Sequence, residues 1–253
     1  MPPALRLGCV MIAPALTPEH LHELEVESAI PADIIAEEGI RSLAGSRELP
    51  VPDPMFRHPN SHKGQHFPSW PDLGPGILFP VGTVYEDCLT YQYKADQPRA
   101  SLYDGRPIKY ETCGGSRLAI HVPRRVRRWL KHRTRELWIT EGVKKALSGA
   151  AAGLCIIGLM GVDGWVVKTQ PHIPGEPLPD WDEIELKARL ALIAFDSDVM
   201  TKPEVEWSRR RLTAFLRKRG AEVVPVYIPN GPGGSKQGLD DYIAARLAVG
   251  GVS

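Results

Sequence analysis

Cysteines are few in this chain, and long apolar runs are absent. The four cysteines, Cys9, Cys88, Cys113 and Cys155, are widely separated and form no CxxC pair. This spacing implies neither a zinc ribbon nor a disulfide framework. No apolar run approaches the roughly 20 residues of a membrane span, and the N-terminus lacks the layout of a signal peptide. We therefore expect a soluble, cytoplasmic protein with no membrane partner.

Two segments that resemble ligand-binding motifs lack the required geometry. Residues 231–236, GPGGSK, do not have the GxxxxGK[ST] spacing of a P-loop. A glycine-rich surface turn is favoured there, with an approach of its backbone to phosphate as the alternative. His58, His62 and His66 recur every four residues, but the prolines and glycine among them disfavour a helix. A polar loop is therefore favoured over a zinc site.

The net charge of +1 conceals an uneven distribution of charged residues. Residues 1–90 contain 5 Lys or Arg and 12 Asp or Glu, residues 91–135 contain 12 and 3, and residues 136–253 contain 14 and 15. The middle segment is therefore strongly basic. A basic segment beside acidic residues is typical of enzymes that act on polyanions, because the cations attract phosphates that carboxylates alone would repel.

Changes in composition divide the chain into five segments. Thr17-Pro18 predicts a helix start, Pro31 predicts a second start, and Gly39 predicts its end. Further along, short strand patterns give way to alternating strands and helices. The segments are a loose terminus (1–15), a helical segment (16–44), a linker or surface loop (45–76), a basic β-rich subdomain (77–133) and an α/β domain (134–253).

The β-rich subdomain combines basic and aromatic residues. Strands are predicted at 77–79, 89–93, 108–110 and 118–120. Tyrosines interleave with the basic residues Lys94, Arg99, Arg106, Lys109 and Arg117. Such a mixture can bind backbone phosphate and stack on bases, although an amphipathic sheet with a solvated basic face is equally compatible.

A denser basic run follows at residues 124–135. Seven of its twelve residues are Lys or Arg, including Arg124, Arg125, Arg127 and Arg128. Val126, Trp129 and Leu130 have the spacing of one helix face, so the run predicts a helix with one apolar edge. A nucleic-acid contact is favoured over a solvated connector because the run precedes the α/β domain.

The α/β domain is predicted from strands that alternate with helices. Pro225 cannot donate a hydrogen bond to a sheet ladder, so its strand is expected at an edge. The predicted strands are 137–140, 154–157, 190–195 and 223–228, and the predicted helices are 143–151, 181–188, 204–219 and 240–248.

Acidic residues follow two of these strands. Asp196 and Asp198 come after strand 190–195, and Glu141 follows strand 137–140. Ligands bind beyond the carboxyl ends of such strands, and carboxylate oxygens suit Mg²⁺ or Mn²⁺. A metal site is favoured over a helix cap with solvated turn acids. Lys144 and Lys145 would add cations for phosphate at the same edge.

Two further acids, Asp240 and Asp241, stand at the start of the last predicted helix. A capping role is favoured for them, because aspartate accepts hydrogen bonds from the free N–H groups of a helix N-terminus. One of them reaching the metal is the alternative. They are therefore possible accessory acids of the site.

The order of these motifs resembles the Toprim domain of bacterial-type primases, type IA and II topoisomerases and some nucleases. The resemblance rests on Thr140-Glu141-Gly142, on a strand ending at Gly158, and on Asp196-Ser197-Asp198, and it covers about residues 134–253. More closely, the chain is similar to Toprim-like domains of phage and plasmid primases and primase-helicases. This implies a Toprim-like parallel sheet with flanking helices, preceded by the small basic subdomain and the short N-terminal helix pair.

The resemblance also implies roles for the three acids. Asp196 and Asp198 would bind Mg²⁺ or Mn²⁺, and Glu141 would be the general base for a 3′-hydroxyl group that attacks an α-phosphate. The sequence departs from the usual pattern in two places. Many Toprim domains have an acid a few residues after the Glu-Gly pair and a glycine after the aspartate pair, where this chain has Lys144-Lys145 and Val199-Met200-Thr201-Lys202.

The function that this implies is metal-dependent nucleotidyl transfer on nucleic acid, in a primase-like role in phage or plasmid replication. Single-stranded DNA and nucleotides would be its partners, together with a separate replicative helicase. A catalytically weak DNA-binding module and a Toprim nuclease are the alternatives.

Overall fold

The computed structural model describes residues 16–50, 70–102, 104–167, 175–197 and 202–250. Asp198 and the three histidines between residues 58 and 66 lie outside this described part. None of the described helices is both long and apolar enough to span a bilayer.

The described chain begins with the predicted pair of short helices. Thr17 caps the first helix through its side-chain oxygen, and Gly39, with φ of 73°, ends the second in the left-handed region. A π-helical turn at Glu23–Glu27 follows the first helix. The helices are α1, Pro18–His22, and α2, Ala32–Glu38.

A small antiparallel sheet follows, with the strand order β1-β2-β3-β4. Its strands are β1, Arg41–Leu43; β2, Gly76–Val81; β3, Thr90–Ala95; and β4, Glu111–Thr112. The strand predicted at 108–110 lies instead at β4. Because β1 comes directly after α2, the small sheet begins in the segment that follows this helix.

A larger sheet forms the second layer, with the order β11-β10-β6-β7-β5. The remaining strands are β5, Ile120–His121; β6, Leu137–Glu141; β7, Ile156–Leu159; β8, Val166–Val167; β9, Glu176–Pro177; β10, Leu190–Phe195; and β11, Glu222–Tyr227. Strands β8 and β9 pair only with each other. Pro225 lies in the edge strand β11, as predicted.

Four strands of the larger sheet, β11, β10, β6 and β7, run parallel, and β5 is antiparallel to β7. The sequence placed the strand near Ile120 with the basic β-rich strands. Its hydrogen bonds instead join β5 to the larger sheet, so the chain crosses between the two sheets before the basic run.

Three longer helices flank the larger sheet: α3, Val143–Ala151; α4, Pro203–Lys218; and α5, Leu239–Gly250. The helix predicted at residues 181–188 was wrong. Residues 179–183 form only a short 3₁₀ helix, and positive φ at Ala188 is incompatible with a helix through residue 188.

The basic run also begins as a 3₁₀ helix, Arg124–Trp129, where an α-helix was predicted. A buried arginine from another part of the chain binds the carbonyl groups at the end of this 3₁₀ helix and beyond it. Arg189 donates hydrogen bonds to the carbonyl oxygens of Trp129, Leu130 and Arg135, at 3.2, 2.7 and 2.8 Å. These carbonyl groups therefore have partners outside the run, and do not need those of an α-helix.

A shared apolar core joins the N-terminal helices, the small sheet and α3. Leu24 and Ile34 from the helices pack in one cluster with Phe79 of β2 and with Val143 and Leu147 of α3. A separate, larger core lies around the parallel sheet. The small sheet is thus held against the first turns of α3, close to the carboxyl edge of the larger sheet.

Candidate active site

A cavity of about 720 Å³ opens at the carboxyl edge of the parallel sheet. Its acidic lining includes Glu141 and Asp196 from the strand ends. Its basic lining comes from β3 and the loops on either side of β4, from the first turn of α3, and from the loop before α5. The charged lining residues are Lys94, Lys109, Arg117, Glu141, Lys144, Lys145, Asp196, Lys236, Asp240 and Asp241. Most of the residues that the sequence singled out therefore face one cavity.

Glu141 is placed in the cavity by a sharp strand-to-helix turn. It ends β6, and Gly142 follows with φ of 93°, which allows α3 to start at once. Strand β7 packs tightly against this turn: a side chain at Gly158 would meet the Gly142 carbonyl oxygen at 2.6 Å. The turn that fixes Glu141 and the first residues of α3 thus depends on glycine at both positions.

Asp196 is almost completely buried at the end of β10, and two lysines neutralise it. Its Oδ1 atom lies 2.8 Å from Lys145 Nζ, and its Oδ2 atom lies 2.8 Å from Lys236 Nζ. Ser197 and Gln237 exchange two hydrogen bonds of 3.0 Å, which hold the loop of Lys236 beside β10. The Asp196 carboxylate is therefore a buried anion that is bound on both oxygens.

Lys145 has a raised pKa. Burial alone would lower it, but the charges of Asp196 and Glu141 outweigh that effect. Since both carboxylates act on the same ammonium group, Lys145 links the two strand-end acids electrostatically. It therefore stays charged throughout the physiological range.

Lys144 forms a second, largely buried set of charges at the cavity. Its Nζ atom lies 3.3 Å from Asp240 and 3.5 Å from Glu23. Burial acts to lower the pKa of Lys144, but Tyr110, Asp240 and Glu23 together raise it. Lys144 thereby connects the π-helical turn near the N-terminus to the start of α5.

The two aspartates at the start of α5 have different positions. Asp240 is buried and pairs with Lys144. Asp241 accepts a hydrogen bond of 2.8 Å from the backbone N–H of Gly238, as a residue at a helix start commonly does. Both line the cavity, and a direct role of either in metal binding stays a prediction.

The carboxylates of Glu141 and Asp196 fit one hard divalent cation. They are oxygen ligands, they line the same cavity, and both act on Lys145. No three His, Cys, Asp or Glu side chains gather as a metal-binding group among the described residues. The third predicted ligand, Asp198, lies outside those residues.

The predicted phosphate-binding residues of the small sheet have different surroundings. Lys94 pairs with Glu23 at 2.6 Å and lines the cavity, and Lys109 is exposed at its rim. Arg99 forms two hydrogen bonds with Glu111, at 2.6 and 3.1 Å, on the same sheet. Lys94 and Lys109 are thus brought together with the acids, whereas Arg99 is not among the residues that line the cavity.

Three of the six arginines of the basic run are bound to acids of the same chain. Arg125 pairs with Glu37 at 2.6 Å and with Asp33 at 3.0 Å, both on α2. Arg124 and Arg127 both pair with Asp87, on the loop between β2 and β3. Arg128 is exposed and lies over the Trp129 ring, 4.7 Å from its centroid. None of these four lines the cavity.

Lys236 is the site residue that the sequence did not reveal. It belongs to the GPGGSK segment, for which a surface turn was favoured. Its ion pair with Asp196 depends on the Ser197–Gln237 hydrogen bonds between distant parts of the chain. No local pattern reports such a contact; the closeness of Lys236 to Gly238-Leu239-Asp240-Asp241 in the sequence is the one available signal.

Comparison of the sequence with known families and proteins gives two matches. The model of a domain of unknown function (DUF3854) matches residues 127–248. An uncharacterized protein of Picosynechococcus sp. is 30% identical over an alignment of 196 residues that covers 64% of this chain and 19% of that protein. The chain therefore spans about a fifth of the length of this curated relative.

Comparison of the structure finds primase catalytic cores. The primase of Aquifex aeolicus (zinc-binding and RNA polymerase domains) gives a TM-score of 0.54 at 11% identity, covering 92% of this chain and 55% of that one. The RNA polymerase domain of Mycobacterium tuberculosis primase DnaG gives 0.52 at 13%, covering 90% and 74%. A DnaG primase catalytic domain bound to single-stranded DNA gives 0.50 at 9%, covering 91% and 71%. At these identities the likeness shows the fold, and it confirms the predicted α/β class with a parallel sheet and flanking helices.

Proposed function

We propose that this protein catalyses metal-dependent nucleotidyl transfer on nucleic acid, in a primase-like role in phage or plasmid DNA replication. The observation that supports the proposal best is the cavity, in which strand-end acids face a basic wall. Nucleotidyl transfer needs both parts, because a polyanionic substrate must be attracted while a cation is held close to the reacting phosphate.

The reaction would join a 3′-hydroxyl oxygen to the α-phosphorus of a nucleoside triphosphate. The new P–O bond forms as the bond to the β,γ-pyrophosphate breaks, and the hydroxyl proton passes to Glu141. Glu141 is suited to this role because the strand-to-helix turn fixes it at the cavity. Lys109 and Arg117, both exposed on the cavity wall, would bind phosphate groups of the substrate.

Asp196 and, by the Toprim resemblance, Asp198 would hold Mg²⁺ or Mn²⁺, and the negative charge of Glu141 would favour the cation electrostatically. Such a cation, when bound, neutralises charge on the phosphate oxygens. Asp196 is suited to hold it because burial fixes the carboxylate at the end of β10. Asp240 would help indirectly, since it keeps Lys144 away from the acids at the strand ends.

Single-stranded DNA is the proposed template, and nucleotides are the proposed second substrate. The likeness in fold to a primase domain solved with single-stranded DNA supports this choice. The basic cavity wall supports it independently. A separate replicative helicase is the proposed partner, because the resemblance to phage and plasmid primases implies one.

The test is a synthesis assay with single-stranded DNA, labelled nucleotides and Mg²⁺ or Mn²⁺. Glu141→Gln and Asp196→Asn should each lower the yield of labelled oligonucleotide by at least about 100-fold, the scale seen when a main catalytic group is removed. Glu222→Gln is the matched control, because Glu222 starts β11 at the opposite edge of the sheet and is exposed. It should retain the activity of the unmodified chain.

A DNA-binding module is the second candidate function. The two lysines on Asp196 favour it, because they satisfy this carboxylate without a metal. Persistent DNA binding without synthesis or cleavage would establish the module and overturn the enzyme proposal. Cleavage that Glu141→Gln abolishes, without synthesis, would identify a nuclease that uses the same site.

A further inference from the structure

The Asp196 carboxylate has two ammonium partners of different character. Lys145 lies in the first turn of α3, and 20% of its side chain is exposed. Lys236 lies on the loop before α5, and 52% of its side chain is exposed. The helix fixes Lys145, whereas the longer exposed part of Lys236 leaves it room to turn into solvent.

Lys145 also lies close to Glu141, four residues after it in the sequence, across the strand-to-helix turn. Because its ammonium group contacts Asp196 at 2.8 Å and is also attracted by Glu141, it lies where a cation between these two acids would bind.

We propose that Lys145 is a fixed cation that takes the place of one metal ion, so that the cavity binds a single divalent cation, and that this cation displaces Lys236 from Asp196. The inference rests on the proposed metal site. Among the described residues, Glu141 and Asp196 contribute two negative charges at the strand ends and Lys145 cancels one, so these groups favour one divalent ion over two. A second ion would have to lie beside an ammonium group that does not leave.

The geometry assigns the mobile role to Lys236. Its release costs little, because half of its side chain is already exposed to water. Once released, its ammonium group would remain at the cavity and could bind a phosphate group of the nucleotide. Lys236 would thus neutralise Asp196 before the metal binds and the substrate afterwards.

The experiment counts bound Mn²⁺ on the metal-stripped chain by electron paramagnetic resonance of the free ion, with calorimetry for affinity. The unmodified chain should bind one Mn²⁺, and Asp196→Asn should abolish binding. The Lys145→Glu variant should bind two Mn²⁺ ions, because it introduces a third carboxylate beside Asp196 and Glu141. Lys218→Glu, an exposed charge reversal on α4, is the matched control and should bind one. Lys236→Ala should bind one about tenfold more tightly, since the competing ammonium group is gone.

The inference would be overturned if the unmodified chain bound two Mn²⁺ ions or no Mn²⁺ ion. It would also be overturned if Lys145→Glu and Lys218→Glu bound the same number of Mn²⁺ ions. Circular dichroism checks the fold of each variant. If Lys145→Glu does not fold, Lys145→Met replaces it: one Mn²⁺ bound at least tenfold more tightly supports the inference, and unchanged affinity overturns it. If the unmodified chain binds one Mn²⁺ ion but makes no oligonucleotide, only the proposed function is refuted. If it binds two Mn²⁺ ions and makes oligonucleotide, only this inference is refuted.

Discussion

The basic run at residues 124–135 and the cavity wall have the same sign of charge but different surroundings. In the run, Arg124, Arg125 and Arg127 are paired with acids of α2 and of the loop between β2 and β3. At the cavity wall, Lys109 and Arg117 are exposed at a cavity large enough for a substrate. The density of charge is higher in the run, but the position suited to phosphate is the cavity. A cluster of arginines therefore indicates a binding surface only when its own chain does not already pair them.

The largest expected effect is on stability, and it comes from replacing Arg189, the arginine that holds the basic run in place. Arg189 is completely buried and donates to the carbonyl oxygens of Trp129, Leu130, Arg135 and Glu185. The Trp129 and Leu130 oxygens keep a backbone donor each, from His132 and Glu185. Arg189→Met would therefore remove the side-chain donor mainly from the Arg135 and Glu185 oxygens, which costs about 1–3 kcal/mol for each group that stays buried. We expect the free energy of unfolding to fall by more than about 2 kcal/mol, measured by urea denaturation.

Arg219→Met is the control for this variant. Arg219 is a partly exposed arginine that pairs with Asp182, and its loss should cost under about 1 kcal/mol. Similar losses for the two variants would mean that the run is not held by Arg189.

The difference between the two regions was only partly predictable from the sequence. Strand 190–195 and helix 143–151 were predicted with their observed bounds, because a continuous apolar run and a helical apolar spacing are local signals. The placement of Glu141 and Asp196 at one sheet edge follows from the same signals, since parallel strands share a carboxyl edge.

Long-range contacts account for the predictions that failed. The run has the spacing of an α-helix, but Arg189 binds its carbonyl groups from a site more than fifty residues away. The two-residue strand at Ile120 gives no signal for its partner, and it joined the other sheet. The pairing of Lys236 with Asp196 was missed for the same reason. The sequence shows which charged side chains are present, but the packing of distant segments determines which of them come into contact.

A smaller effect should appear as a pH dependence of the strand that leads into the run. His121 on β5 is completely buried, and burial lowers its pKa from 6.5 to about 3. Between these values the unfolded chain binds one proton more than the folded chain, so the free energy of unfolding falls as the pH falls. Between about pH 7.5 and about pH 5 the loss should be roughly 2 kcal/mol.

Denaturation curves at several pH values would measure this loss. His121→Gln should remove the dependence in that range, whereas His132→Gln, at an exposed histidine of the run, should leave it unchanged. If His121→Gln keeps the full slope, the titrating group lies elsewhere.

A still smaller effect on stability tests whether the paired arginines of the basic run stabilise the fold rather than bind nucleic acid. Arg125 joins the run to α2 through Glu37 and Asp33. Because the pair is partly exposed, Arg125→Met should lower the free energy of unfolding by about 1 kcal/mol. Its affinity for single-stranded DNA, measured by fluorescence anisotropy, should change less than about twofold. Unchanged stability with clearly weaker binding would assign this arginine to the nucleic-acid surface instead.

The smallest effect compares one exposed cation from each region on DNA binding itself. Lys109→Ala at the cavity rim and Arg128→Ala in the run remove the same charge, and both side chains are exposed. Lys109→Ala should weaken binding of single-stranded DNA about threefold to fivefold and reduce its salt dependence, because a phosphate contact is lost. Arg128→Ala should weaken binding of single-stranded DNA by less than about twofold, because Arg128 already lies over the Trp129 ring. Titrations at several salt concentrations measure both changes. Equal losses would show that DNA extends over the run as well as the cavity, and a larger loss for Arg128→Ala would reverse the assignment of the two regions.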